Sequence, residues 1–362
     1  MSLRSEEPEA ADRAGWERAA AQGDEPPVGT ELRSSVHATH PEPVQRPAPP
    51  PAQPKRRRVE HAPPRARYDQ LARTPLHRWW RPLAGTLLVL VISSAWSFTV
   101  LAVGIALDGH LLTERSDRLL AVVLVSNWAG APVALLAARW AQRRPAGSVS
   151  SVEGRLRGRW LLHCAGTALV IHLIPILTAL LVVPGLPGRF GWVGWRRFLV
   201  TALVALLIPL QVAGEEYVFR GWLLQAIGAY VRKPWPGIVV TSALFCLAHG
   251  GSVWALAYYL LFGVLLAVLT IRTGGLEAGI ALHTVNNCML LLLIAAAGGT
   301  GLSPRDVTVA RSAAGWQALV PLIAPQALFA GLILWSARRR GVATVTAAPS
   351  DSAHPTTMPA TG

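Results

Sequence analysis

The stretch PWPGIVVTSALFCLAHGGSVWALAYYLLFGVLLAVLTI, residues 234–271, decides the architecture. Its 38 consecutive residues carry no formal charge, and Gly250-Gly251-Ser252 falls near the middle. About 20 apolar residues carry a helix across the hydrocarbon core of a bilayer. This run is too long for one pass and fits two short passes joined by a tight glycine turn. Uncharged runs repeat on either side of it. Leu83–Leu107 has 25 residues, Leu119–Ala138 has 20, and Trp160–Val183 has 24. Phe198–Gly214 has 17 and then meets Glu215, Ala278–Gly299 has 22, and Ser312–Ala337 has 26. Together they predict eight helices. Helices satisfy their own backbone in lipid, and the alternation of a barrel strand is absent from the runs. The expected fold is all-α, a polytopic membrane helix bundle.

Composition agrees. Of the 362 residues, 52% are hydrophobic and 15% charged, against about 25% charged in ordinary soluble domains. Residues 1–75 hold 11 of the 20 acids and 13 of the 28 prolines. The remaining chain has too little charge to cover a soluble surface, which excludes an ordinary soluble enzyme. Cys164, Cys246 and Cys288 each sit inside an apolar run and read as packing residues, not a disulfide framework. The net charge of +14 does not point to nucleic acid, because the arginines flank the apolar runs as in membrane proteins. Only Lys55 and Lys233 of the 34 basic residues are lysine, a bias that GC-rich bacterial genomes produce.

Three regions follow. Residues 1–75 are a Pro/Arg-rich tail expected to be disordered, since they cannot bury enough apolar area to offset the ordering entropy. Lys55-Arg56-Arg57-Arg58 within it reads as a juxtamembrane cluster drawn to anionic lipid. Residues 76–340 form the transmembrane domain. Residues 341–362 are a second tail expected to be disordered. Six arginines between Arg139 and Arg159, and Arg338-Arg339-Arg340 after the last run, put both termini in the cytoplasm of a multi-pass cell-membrane protein. The three arginines between Pro184 and Arg197 run against that orientation.

Ionisable residues inside a span cost at least ~2.5 kcal/mol on insertion scales, so each needs a reason. Glu215 and Glu216 are adjacent acids, and Arg220 stands one helical turn after Glu216, where the two can pair. Glu215 points about 100° away from Glu216 and is left to face elsewhere. His249 ends the fifth expected helix with Phe245 one turn before it, and His283 and Asn287 share a face of the seventh. His163 and His172 face opposite sides of the third helix and line no common site. Glu277, at the start of the seventh helix, reads as a cap or interface residue. By helical rise, Glu215, His249, His283 and Asn287 can meet in one half of the membrane.

These residues spell three motifs. Glu215-Glu216-Tyr217-Val218-Phe219-Arg220 resembles the EExxxR motif of the CPBP family, the CAAX prenyl proteases and bacteriocin-processing enzymes also called the Abi family. Phe245-Cys246-Leu247-Ala248-His249 resembles its FxxxH motif, and His283-Thr284-Val285-Asn286-Asn287 its HxxxN motif. The resemblance covers roughly residues 198–297. It implies an intramembrane endopeptidase acting on a membrane-associated or peptide substrate. In that reading Glu215 and His249 activate water, His283 and Asn287 stabilise the oxyanion, and Glu216, Arg220 and Phe245 support them. A carboxylate in a poorly hydrated cavity is a good base, and fixed donors act strongly in low dielectric. Glu215, His249 and His283 are also a conceivable Zn²⁺ set, the intramembrane metalloprotease reading, although the HExxH spacing is absent. Water activation without a metal is the preferred scheme. The rival functions are a transporter or channel using the same polar residues, and a non-catalytic immunity or scaffold protein. Against transport, the paired acids occur once, with no inverted repeat. The expected partners are the lipid bilayer and a protein or peptide substrate, with no nucleic acid.

Overall fold

The structure, a computed structural model, describes residues 59–111, 117–182, 195–296 and 319–348. Most of both expected tails, residues 1–58 and 349–362, lies outside the described residues. Eleven α-helices are described. They are α1 (Trp80–Leu107), α2 (Asp117–Ser126), α3 (Gly130–Trp140), α4 (Gly158–Val182), α5 (Trp195–Ala205), α6 (Ile208–Glu216), α7 (Leu224–Tyr230), α8 (Trp235–His249), α9 (Val253–Thr273), α10 (Glu277–Ala296) and α11 (Leu319–Arg339). Six helical stretches among the described residues are long and apolar enough to cross a membrane, and Trp235–His249 and Glu277–Leu293 are shorter apolar helices. The chain is thus the all-helical polytopic bundle its apolar runs predict. The long uncharged run divides where expected. Gly250 at φ 61° and Gly251 at φ 109° end α8, in left-handed backbone that favours glycine. Ser252 then caps α9, its side chain accepting from the Ala255 amide.

Two of the expected spans are broken. The second splits into α2 and α3 at Asn127–Ala129, with Pro132 in the first turn of α3, where a missing N–H costs little. The Asn127 side chain donates to the Val123 carbonyl at 3.1 Å, satisfying an acceptor that the break leaves over. The break meets α6 backbone to backbone. A Cβ on Gly214 would stand 1.9 Å from the Asn127 carbonyl oxygen, and one on Gly130 would stand 2.4 Å from the Gly214 oxygen. The fourth span, Thr201–Tyr230, is 30 residues long and changes pitch inside. Tyr217–Leu223 winds as a π-helix between α6 and α7, a form found mostly as single turns at functional sites.

The buried apolar side chains form two clusters. One joins α1, α2, α3, α6, the π-helical turn and α7 through Val89, Leu124, Val133, Val212, Trp222 and Leu224; the other joins α4, α8, α9, α10 and α11 through Cys164, Phe245, Phe262, Leu282 and Phe329. Large apolar side chains elsewhere, such as Leu87, Phe98, Leu162, Leu181 and Leu247, stay exposed, as lipid-facing residues must.

The ordered body begins earlier than composition predicts. Tyr68, Leu71 and Ala72, inside the stretch read as tail, are buried, and the Tyr68 hydroxyl donates to the Val149 carbonyl. Gly228 allows this approach, since a Cβ there would stand 1.8 Å from the Asp69 carbonyl. The chain past α11 is likewise ordered through residue 348. Thr346 exchanges backbone hydrogen bonds with Arg65 and Ala66 at 3.1 and 3.0 Å, so the approaches to the first and last helices pair with each other. The loop between α3 and α4 joins the same layer, where Ser150 Oγ and the Tyr217 hydroxyl lie 2.7 Å apart. Burial pushes the Tyr68 phenol up and the Arg144 guanidinium down to about 10. Neither group changes charge near neutral pH, so both serve this layer as fixed donors.

Candidate active site

The two acids end α6 and face different partners. Glu216 Oε1 accepts from Arg220 Nη1 at 3.0 Å and from His283 Nδ1 at 2.9 Å, and both Glu216 and Arg220 are fully buried. The Arg220 guanidinium lies over the Phe245 ring, 4.2 Å from its centroid, and its Nη2 donates to the Gly263 carbonyl at 3.4 Å. A side chain at Gly263 would press on Ser242 at 3.1 Å and on Arg220 at 3.4 Å, so glycine is what brings α9 this close. A carboxylate, an aromatic face and a carbonyl thus surround the cation, although Arg220 Nε and Glu216 Oε2 are buried without a hydrogen-bond partner.

Glu215 turns the other way. Its Oε1 accepts from Gln211 Nε2, one turn earlier on α6, and its Oε2 lies 3.7 Å from His283 Nε2. It lines a cavity of about 390 Å³ together with His249, Asn287, Gln211, Tyr259 and Asn127; Leu120, Leu124, Leu290 and Leu291 supply apolar wall. His249 Nδ1 is 2.8 Å from the Phe245 carbonyl. A carbonyl only accepts, so Nδ1 carries the proton and Nε2 of the neutral ring is the basic nitrogen. The ring is sandwiched by Phe245 and Tyr259, at centroid distances of 4.3 and 4.4 Å. Asn287 belongs to an amide chain. Its Oδ1 accepts from Asn286 Nδ2 at 3.1 Å, and Asn286 Oδ1 accepts from the Tyr258 hydroxyl at 3.1 Å and from Gln326 Nε2 at 2.9 Å. With its oxygen engaged, the Asn287 amide group has its N–H donors left to offer the cavity.

Of the residues singled out from the sequence, Glu215, His249 and Asn287 share this cavity. His283 is not part of its lining. It stands behind Glu215, 2% exposed, between the two carboxylates and the edges of Phe245 and Phe262. His163 and His172 are elsewhere, His163 Nε2 at 2.8 Å from Ser336 Oγ and His172 Nδ1 at 2.7 Å from the Ala168 carbonyl. Glu277 forks onto Arg157 of the α3–α4 loop, at 2.9 and 2.6 Å, and ties that loop to the start of α10. Gln211, Asn127, Asn286, Tyr259 and Gln326 were not anticipated. Gln211 and Gln326 were findable, since each is an amide inside an uncharged span, the same signal that marks the acids.

The residues of the zinc set do not come together in the structure as a group of three. Among the described residues no three His, Cys, Asp or Glu side chains gather as a metal-binding group. The Nδ1 contacts of His283 with Glu216 and of His249 with a carbonyl are of the kind that orient metal-binding histidines, but His283 is not in the lining that Glu215 and His249 share.

The chain is 34% identical over 156 residues to "Uncharacterized protein YyaK" of Bacillus subtilis (strain 168), covering 41% of this chain and 50% of the relative. It is 31% identical over 121 residues to "Uncharacterized 24.3 kDa protein" of Escherichia coli, covering 33% and 51%. The chain thus spans about half the length of the curated relatives it matches. No solved structure matches it. Residues 194–289, which carry all three motifs and, of the cavity lining, Gln211, Glu215, His249, Tyr259 and Asn287, match the Rce1-like family, described as type II CAAX prenyl endopeptidases.

Proposed function

We propose that the chain is an intramembrane endopeptidase that hydrolyses a peptide bond of a membrane-associated or peptide substrate. The observation that carries this reading is the meeting of Glu215, His249 and Asn287 on one cavity among apolar helices. A water between Glu215 and His249 Nε2 gives a proton to this pair and its oxygen attacks the carbonyl carbon. The Asn287 amide donates to the oxyanion as it forms, where low dielectric makes one donor worth most. The proton then passes to the departing nitrogen, the C–N bond breaks, and an acid and an amine leave. Gln211 and His283 are positioning residues, one holding Glu215 Oε1 and the other bridging Glu215 to the Glu216–Arg220 pair. No step runs through a metal. The arginine distribution supports both termini lying in the cytoplasm, so that reporters fused at Ser150 and Gly251 should read inside and outside respectively. The functional test compares peptide termini in membranes of cells expressing the wild type or Glu215→Gln. New termini that depend on Glu215 support hydrolysis. Identical termini with an altered ion flux support the transporter reading instead.

A further inference from the structure

At one end of the bundle lies a second cavity, of about 560 Å³, remote from the acids and lined by Arg67, Arg272 and Arg338 among apolar residues such as Pro234, Ile271 and Leu334. Arg272 and Arg338 stand in the last turns of α9 and α11, and both are exposed. The ordinary use of such arginines is to satisfy the carbonyls of a helix end. Here the backbone already does that. Gly275 N donates to the Thr270 carbonyl at 3.0 Å, and Val342 N donates to the Ala337 carbonyl at 3.0 Å. Nor are the two cations neutralised. Asp69 is engaged by Arg67 at 2.9 Å and Glu277 by Arg157 at 2.6 Å, and among the described residues Arg272 and Arg338 form no ion pair. Two guanidinium groups therefore reach a cavity with no carboxylate of their own, while Arg67 is held as its wall by Asp69 and the Arg232 carbonyl.

The level of the cavity in the bilayer follows from its neighbours. Trp235 and Trp335 are 61% and 58% exposed, one beside Pro234 and the other one turn before Arg338 and Arg339. Exposed tryptophans at helix ends sit at the headgroup level. We infer that this cavity binds the phosphodiester headgroup of an anionic phospholipid between Arg272 and Arg338, with its glycerol and upper chains against Ile271 and Leu334. Guanidinium forks match phosphate oxygens, and the apolar walls suit a lipid better than a free anion. The site is independent of the peptidase reading.

The test uses the purified full-length chain, delipidated in a neutral detergent, with phosphatidylglycerol, phosphatidylcholine and inorganic phosphate as probes and native mass spectrometry as readout. The wild type should retain one phosphatidylglycerol, and the R272Q/R338Q double variant should bind it about 30-fold more weakly. The control R139Q/R159Q, which removes two exposed arginines outside the cavity, should bind within about twofold of the wild type. R272K/R338K, which keeps the charge but not the fork, should fall between and covers the case in which the glutamine variant misfolds. Equal binding by R272Q/R338Q and the wild type overturns the proposal, as does equal loss in the control. Inorganic phosphate or phosphatidylcholine binding as tightly as phosphatidylglycerol overturns the lipid assignment.

Discussion

Replacing Glu216 by Gln separates architecture from chemistry at the paired acids. The Glu216 carboxylate is fully buried and receives both Arg220 and His283 on one oxygen. Gln keeps the shape and an amide oxygen, but it removes the charge and leaves the Arg220 cation in low dielectric with neutral partners, the Gly263 carbonyl and the Phe245 and Phe219 rings among them. Breaking a buried pair from one side costs about 3–5 kcal/mol. The retained oxygen favours the low end, so the expected loss is about 3 kcal/mol. For a body of this size each kcal/mol moves the midpoint by about 2–4 °C, so Tm should fall by roughly 6–12 °C. A thiol-reactive dye reads this in a Cys288→Ala background, because Cys164 and Cys246 are buried and react only on unfolding, whereas Cys288 is partly exposed. Arg220→Gln alone should be comparably damaging, and the double variant should lose clearly less than the sum, since neither charge is then left alone. A Glu216→Gln midpoint within about 2 °C of the wild type, or strict additivity in the cycle, would refute the buried-pair argument.

Asn287→Ala should lower kcat by roughly 10²–10³, the usual effect of losing one oxyanion donor, and leave KM within about twofold; an unchanged kcat, measured on a peptide that the wild type cleaves, would remove Asn287 from the reaction. Deleting residues 1–70 should destabilise the protein, because it removes Tyr68 and its hydrogen bond to Val149. Deleting residues 1–58 should leave the midpoint unchanged; equal midpoints for the two truncations in the same dye assay would show that the Tyr68 contacts carry no stability.

The helices were readable because membrane spans announce themselves by length and absence of charge, and Gly250-Gly251 marked the division of the longest run by backbone conformation alone. The acids and His249 were readable because lipid makes every ionisable residue expensive. The break at Asn127–Ala129 was hidden because a count of uncharged residues is blind to backbone geometry, although Gly130 and Pro132 stood there as signals. The order of residues 59–75 was hidden for a different reason. Tyr68 and Leu71 are isolated apolar residues in a proline- and arginine-rich stretch, and only the packing around Gly228 and Val149 gives them a place. Spacing put His283 near the acids but could not say which side of Glu215 it occupies. That depends on how closely α10 approaches the acids at Gly279, where a Cβ would stand 3.2 Å from Glu216 Oε2, a tertiary quantity.

The most direct test of the central claim is the rate at which purified, reconstituted protein releases new peptide termini from membrane substrates, compared between the wild type and Glu215→Gln at matched folded concentration. Gln preserves the shape of the side chain and its contact with Gln211 but cannot take a proton. The rate of Glu215→Gln should be lower by roughly 10²–10⁴ and its midpoint within about 2 °C of the wild type, the reverse of the Glu216→Gln pattern. Cleavage by Glu215→Gln at the wild-type rate would contradict that claim and would leave the acids with a structural role only.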